Sequence, residues 1–359
     1  MRFLFGSTVN IAAFKNILRL VSSIIILSAA VDYSVAQETA TPKAVTVENF
    51  PRAETDTTIA AYAQKGAFGK FLHVRAPVSI DEQKIVRTNR DTLYSFGIFD
   101  LDAGPVTLSL PETEKRYMMA QVLDQDQYTR DIAYAPGERT YSRDSVHTRY
   151  MIVIVRTLVD PQSAEDIRRV HALQNSIGVS QSGKGSLELP DWDAASQGQI
   201  REALKGLGAH LGSTANMFGT PDEVDPIKYL IGAAIGWGGN PESAAIYLSG
   251  HPKDKSGADV EILTIKDVPV DGFWSISVYN KEGYFAKNAL DAYSVNNLTA
   301  KKSEDGSVTV QFGGCEKTTP NCLPTMPGWN YTVRLYRPRS EILNGSWKFP
   351  EPVQISPAK

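Results

Sequence analysis

Cysteine and histidine are scarce in this chain. Its 359 residues hold two Cys and five His. Two cysteines cannot fill a zinc site by themselves, and a chain this long can bury a core without metals or many disulfides. The histidines, His73, His147, His171, His210 and His251, are scattered. None forms a local pair at metal-ligand spacing, so each reads as a surface or structural histidine. Several catalytic signatures are missing too. A Gly-x-Ser-x-Gly elbow is absent, which speaks against an α/β-hydrolase. So are a phosphate-binding P-loop and a Gly-x-Gly-x-x-Gly following a strand.

Basic surplus is lacking as well. The formal net charge is −3. Beyond residue 36 no stretch is long and apolar enough for a transmembrane helix. The N-terminus reads as an export signal. Arg2, Lys15 and Arg19 lead into the apolar stretch "LVSSIIILSAAV", and "SVA" places a cleavage site after Ala36, with an uncleaved anchor as the alternative because the lead is long. Loss of residues 1–36 removes Arg2, Lys15, Arg19 and Asp32 and moves the net charge from −3 to −5. That balance argues against a nucleic-acid partner, which needs a basic patch. It also leaves no polybasic handle for anionic lipid. The expected location is periplasmic or secreted.

Hydrophobic residues make up 42% and charged residues 21%, as in ordinary globular proteins. Residues 37–47, "QETATPKAVTV", read as a loose leader, and "TDTTIAAYAQKGA" as a helix capped by Thr55 or Asp56. From Phe71 to Arg156 strands dominate. "GPVTLSLP" alternates Val106, Leu108 and Leu110 on one face, and "YMIVIVRTLV" reads as a strand buried on both faces. A helical middle follows. Ser163 and Asp166 open a helix carrying Ile167, Val170, Leu173 and Ile177. Ile200, Leu204, Leu207 and Leu211 mark a second, and a third starts near "TPDEVDPIKYLIGAAIGW" and ends at "GWGGNP", where Gly and Pro stop it. "VEILTI", "FWSISVY", "SVTVQF" and "YTVRLY" return to strand. The expected fold is therefore α+β, mainly β. Two β-rich, sandwich- or jelly-roll-like domains, 37–160 and 240–359, flank a helical segment, 161–239.

Two polar clusters stand out. In "TNRDTLYS", extended geometry would put Asn89 and Asp91 on one face, with Arg90 and Tyr94 on the other. Arg offers a planar fork for a carboxylate or phosphate, and Asp is its natural partner. The triplet equally suits a buried polar network or a turn. In "LDQDQYTRD", a strand would align Asp124, Asp126 and Tyr128. Paired carboxylates could hold a calcium-like cation, or one could do acid–base work with a raised pKa. The glycine of an EF-hand loop is missing, and a solvated strand end with Arg130 as counter-charge is the plainer reading. No other metal or cofactor is expected.

The stretch "NRDTLYSFGIFDLDAGPVTLSLPETEKRYMMAQVLD" resembles the first half of a two-part bacterial family, domain of unknown function 1254. "GWGGNPESAAIYLSG", "VDGFWSISVYNKEGYF", "DGSVTVQF" and "WNYTVRLYRPRSEILNGSWKFP" resemble the partner half, domain of unknown function 1214. The resemblance runs over about residues 50–350, implies two β-rich domains with helices between them, and carries no assigned reaction. The chain departs from the family in places. Ala292 stands in "NALDAYS" where the family has Arg, and Cys322 replaces a Trp in "NCLP". Cys315 and Cys322, in "CEKTTPNC", are expected to form a disulfide pinning a loop.

On these residues the first expectation is an exported protein binding a small polar, sugar-like or aromatic ligand in a cleft between β domains. Asn89, Arg90, Asp91, Tyr94, Tyr128, Trp274, Tyr279 and Tyr293 are the candidate contacts, since Tyr and Trp offer a stacking face and a polar tip. A second is an envelope hydrolase or lyase with Asp91, Asp124 or Asp126 as base and Arg90 as the oxyanion-side cation. A third is a structural or homo-oligomeric scaffold.

Overall fold

The computed structural model describes residues 41–83, 85–252 and 255–355. The 1–36 leader and its cleavage position lie outside them. In chain order the elements are α1 (Phe50–Gln64), β1 (Phe71–His73), β2 (Thr92–Asp100), β3 (Val106–Leu110), β4 (Met118–Leu123), β5 (Thr129–Tyr134), β6 (Gly137–Tyr141), α2 (Arg143–Val146) and β7 (Tyr150–Leu158). The middle holds α3 (Ala164–Asn175), β8 (Gly178–Gln181), α4 (Ala194–Gly208) and α5 (Pro226–Ile235). Then come β9 (Ala245–Gly250), β10 (Val260–Ile265), β11 (Trp274–Tyr279), β12 (Ser294–Asn296), β13 (Val308–Phe312), β14 (Cys322–Leu323), β15 (Asn330–Tyr336), α6 (Ser340–Leu343) and β16 (Val353–Ile355).

The protein is mainly β, as the alternation of its strands predicts. The first half is a sandwich. A five-stranded sheet, β1-β2-β7-β4-β5, packs on a three-stranded sheet, β6-β3-β8. Val106, Leu108 and Leu110 form one side of that core and Met118, Ala120, Val122, Val153 and Val155 the other. The second half repeats the plan with β14-β13-β10-β16 against β12-β11-β15-β9. Its core joins Leu263, Val310 and Phe312 to Trp274, Ile276 and Val333. From Pro42 onward both halves belong to one compact unit. Among the described residues no helix is long and apolar enough to cross a membrane.

Several local expectations shift. Helix α1 begins at Phe50, behind Asn49 and with Pro51 in its first turn, where a missing N–H costs nothing. Thr55 and Asp56 are thus not caps. They sit buried inside the helix, accepting from Trp237 Nε1 at 3.0 Å and from Gln125 and Trp192 at 2.8 and 3.0 Å. The leader is not loose from residue 43 onward. Lys43 pairs with the backbone of Asp191 and Asp193, and Val45 buries among Leu204 and Ile231. The helical middle also contains a strand. Helix α3 stops at Asn175, Ile177 enters the first core, and β8 completes the small sheet beside β3.

Candidate functional site

The "TNRD" segment is a turn, not a strand, and β2 starts only at Thr92. Arg87 takes a left-handed conformation, φ 52°. Asn89 Oδ1 then accepts the Asp91 N–H at 2.7 Å, the local bond that makes Asn a turn residue. Asn89 and Asp91 therefore do not share a strand face opposite Arg90 and Tyr94. Asn89 Nδ2 reaches across to the Tyr336 hydroxyl at 2.8 Å. Asp91 is fully buried, and its Oδ1 accepts from Ser294 Oγ at 3.0 Å and Asn296 Nδ2 at 2.9 Å. Its Oδ2 has no partner among the described residues. Arg90 turns elsewhere, donating to the Val78 carbonyl and lying 5.3 Å over the Tyr293 ring.

What Asn89 and Asp91 meet is a buried polar sheet face. Strands β11 and β15 are buried along their whole lengths. Alternation sends Trp274, Ile276, Val278, Val333 and Leu335 into the apolar core. It leaves Ser275, Ser277, Tyr279, Asn330, Thr332, Arg334 and Tyr336 for the other face, where cross-strand pairs set Ser275 opposite Arg334 and Tyr279 opposite Asn330. Arg334 donates to Ser277 Oγ at 2.9 Å, to the Tyr279 hydroxyl at 2.6 Å and to the carbonyls of Arg87 and Thr88 at 2.8 and 3.3 Å. Tyr279 in turn donates to the Thr88 carbonyl at 2.8 Å. Such closure satisfies groups that would be expensive if buried alone.

Thus Trp274 packs in the apolar core, its edge reaching a small surface groove beside Val270 and Lys302, while Tyr279 is locked into this network. Tyr293 packs on Phe285, with ring centroids 5.7 Å apart. Tyr128 stacks on Tyr229 at 4.5 Å, remote in sequence from the turn at Asn89.

Asp124 and Asp126 also depart from expectation. Strand β4 ends at Leu123, and residues 124–127 turn, with Gln127 at φ 69°. Asp124 Oδ1 accepts the N–H groups of Asp126 and Tyr128, both at 2.9 Å, and its other oxygen pairs with Arg130 at 2.6 Å. Asp126 instead takes both oxygens to Arg52 on α1, at 2.7 and 2.6 Å. The carboxylates do not face one ligand, because the turn aims them at different arginines. Burial pushes the Asp124 carboxyl up to about 6, against the pull of Arg130.

A second guanidinium was overlooked by pattern reading. Arg156 sits two residues before the end of β7, the central strand of the five-stranded sheet, and is only 6% exposed. It donates to Gln121 Oε1 and to the Gly238 carbonyl, both at 2.8 Å. Among the described residues it makes no ion pair. Tyr94 lies opposite it in register, its ring 5.6 Å from the guanidinium. From there the aromatic surface continues through Phe96 to Tyr62, with ring spacings of 5.9 and 4.2 Å.

The second half closes over this surface. Tyr117 touches the Tyr336 and Phe273 rings at 5.4 and 5.0 Å. Tyr247, on β9, receives a hydrogen bond from Asn240 Nδ2 at 2.7 Å. Burial raises the phenols of Tyr117, Tyr247 and Tyr336, so all three stay protonated at neutral pH. Yet Tyr247 keeps 40% of its surface accessible. The exposed Tyr247 and the buried phenols that share the field of Arg156 outline a candidate recess. The Tyr117 hydroxyl and Asn240 Oδ1 have no partner among the described residues. Elsewhere, an open groove of about 750 Å³ runs between residues 112–116, α3 and Asn297–Leu298. Its charged, solvent-facing rim lacks the convergent aromatics of the recess.

Tyr94 is the one candidate contact from the sequence that borders this recess. The signal for Arg156 was present, a single charged residue in the otherwise apolar run "YMIVIVRTLV". Arg334 in "YTVRLY" gave the same sign. The disulfide between Cys315 and Cys322 is formed, with Cα atoms 5.6 Å apart.

The chain is similar in structure to the VPA0106 protein from Vibrio parahaemolyticus, with a TM-score of 0.66 and 17% identity over 86% of this chain and 98% of that one. It is also similar to an uncharacterized protein from Burkholderia cenocepacia, with a TM-score of 0.48, 13% identity, and coverage of 86% and 87%. The first likeness shows the fold alone. No curated protein matches the chain. Residues 68–145 match a family described as a protein of unknown function, DUF1254, and residues 249–340 match a second, DUF1214. Along the chain the DUF1254 match thus precedes the DUF1214 match.

Proposed function

We propose that this is an exported protein that binds a small polar, sugar-like or aromatic ligand in the recess between its two β halves. The observation that carries this reading is Arg156, a buried cation with no ion pair among the described residues, set beside the Tyr94 ring and near Tyr247. Buried arginines are ordinarily paired or hydrogen-bonded on every side. Export rests on the basic-then-apolar leader ending at Ala36, and a disulfide suits an oxidising compartment. Acid–base catalysis by Asp91, Asp124 or Asp126 has less support, because Asp124 and Asp126 are committed to arginines and Asp91 to Ser294 and Asn296.

The test is thermal shift and calorimetry of the purified protein with panels of sugars, small aromatics, esters and lactones, with turnover followed in parallel. Some member is expected to bind without being consumed, and Tyr247→Ala is expected to weaken it about tenfold while the fold persists. Failure of every panel member to bind, or affinity untouched by Tyr247→Ala, would sink the reading. Turnover lost in Asp91→Ala would replace it with the enzyme.

A further inference from the structure

We infer that the ligand of this recess is an aromatic monocarboxylate, its carboxylate on Arg156 and its ring along the Tyr94–Phe96–Tyr62 wall. The inference rests on the binding reading above and names the ligand's chemistry.

The argument begins with donors. A guanidinium carries five N–H donors in a planar fork. Arg156 gives two hydrogen bonds to protein acceptors, Gln121 and Gly238, and no further hydrogen bond from its guanidinium is formed among the described residues. The fork is therefore partly open, and its natural bidentate partner is a carboxylate or phosphate. A further donor lies close by. Tyr117 precedes Met118 on the strand beside β7, and its backbone carbonyl accepts from Leu158 at 3.0 Å. Its hydroxyl is buried and unpartnered, and it lies in the electrostatic field of Arg156. A buried phenol hydroxyl normally finds a partner, so one is missing here.

Charge separates carboxylate from phosphate. The surrounding phenols are neutral donors. The second buried guanidinium, Arg334, is spent on Ser277, Tyr279 and two carbonyls, and it lies in the field of Asp91. One uncompensated positive charge remains, which suits a monoanion better than a phosphate dianion. The neighbouring surface selects the rest of the ligand. Tyr94, Phe96 and Tyr62 form a run of near-parallel rings, with interplanar angles of 10° and 26°. A flat apolar body extends such a stack. Asn240 adds an amide whose one end is unpartnered, a place for a ring hydroxyl.

The test uses the purified protein with benzoate and 4-hydroxybenzoate against benzyl alcohol, glucose and inorganic phosphate, all by calorimetry at neutral pH. Benzoate is expected to bind with one-to-one stoichiometry, roughly tenfold or more tighter than benzyl alcohol. Arg156→Gln is expected to collapse that preference towards parity. Since that variant removes a buried, hydrogen-bonded group, Tyr117→Phe serves as the second. It deletes an unpartnered hydroxyl, so the melting temperature should hold while benzoate affinity falls several-fold. Equal or tighter binding of benzyl alcohol, glucose or phosphate overturns the carboxylate but leaves a ligand-binding recess standing. Benzoate affinity unchanged in both variants overturns the assignment to Arg156 and Tyr117. No binding by any of the five overturns both readings.

Discussion

Arg334 Nη2 lies 2.8 Å from the backbone carbonyl of Arg87, so a guanidinium on the second half's sheet closes the turn that opens the first half's strand β2. The same group holds Tyr279 and Ser277. The bond thus joins two stretches far apart in the chain, and the polar layer between the halves hangs on it.

Replacing Arg334 with Met should leave the Arg87 carbonyl without its side-chain donor and the Thr88 carbonyl with that of Tyr279 alone. A loss of about 3 kcal/mol is expected, because buried acceptors keep their desolvation cost when a partner goes. Urea unfolding with an unchanged m-value checks it. A midpoint equal to wild type would mean that water replaces the arginine without penalty.

Asp91→Ala strands the donors of Ser294 and Asn296 and removes a negative charge from the field of Arg334. A destabilisation of about 2 kcal/mol is expected. In a double-mutant cycle with Arg334→Met, coupling of about 1 kcal/mol should appear. Strict additivity would show that the two charges do not sense one another.

These residues also show what could be read beforehand. Alternation placed Val106, Leu108 and Leu110 in the core correctly, because one buried face imposes a period of two. The same logic failed at Asn89 and Asp124. There a side-chain oxygen bonds its own backbone two residues on, and this local competition outweighs the strand pattern. Trp274 and Tyr279, candidates of one class, separated because residues an odd number of places apart on a strand face opposite ways. Arg156 was missed for the opposite reason. Its strand was recognised as buried, but nothing in one dimension says that Tyr94, Tyr117 and Tyr247 gather around its single charge.

Asp124 makes stability depend on pH. Its carboxyl titrates near 6 in the fold, against about 4 in an unfolded chain. The folded state holds the proton more tightly, so this contribution is fully present below about pH 4 and is lost as pH rises through about 6. The gap corresponds to about 2–3 kcal/mol. Chemical unfolding from pH 4 to 7 should show the decline, and Asp124→Asn should flatten it. A wild-type slope identical to that of the variant would refute the assignment.

The bond between Cys315 and Cys322 closes a short loop, with a sequence separation of 7. Chain-entropy reasoning gives about 2–3 kcal/mol for a loop of this size. Cys315→Ser with Cys322→Ser should lower the melting temperature by several degrees under oxidising conditions. Under full reduction the difference should vanish, and its persistence there would point to packing by Cys322 instead.

Trp274 packs among Ile276, Val333 and Leu263. Trp274→Ala should cost about 3–5 kcal/mol through the cavity it leaves. Benzoate affinity of the folded protein should be unaffected, and weakened affinity would mean that the apolar core reaches the recess.

Strand β7 spans Tyr150–Leu158 and lies between β2 and β4, yet the DUF1254 match stops at residue 145. Strand β8, which flanks β3, lies further on still. The stretch that carries the family match and the stretch that completes the sheet are therefore different pieces of chain. A fragment cut at the match boundary would lose the middle rib of its main sheet. It would lose Arg156 with it, so the segment that bears the family resemblance cannot by itself bear the recess.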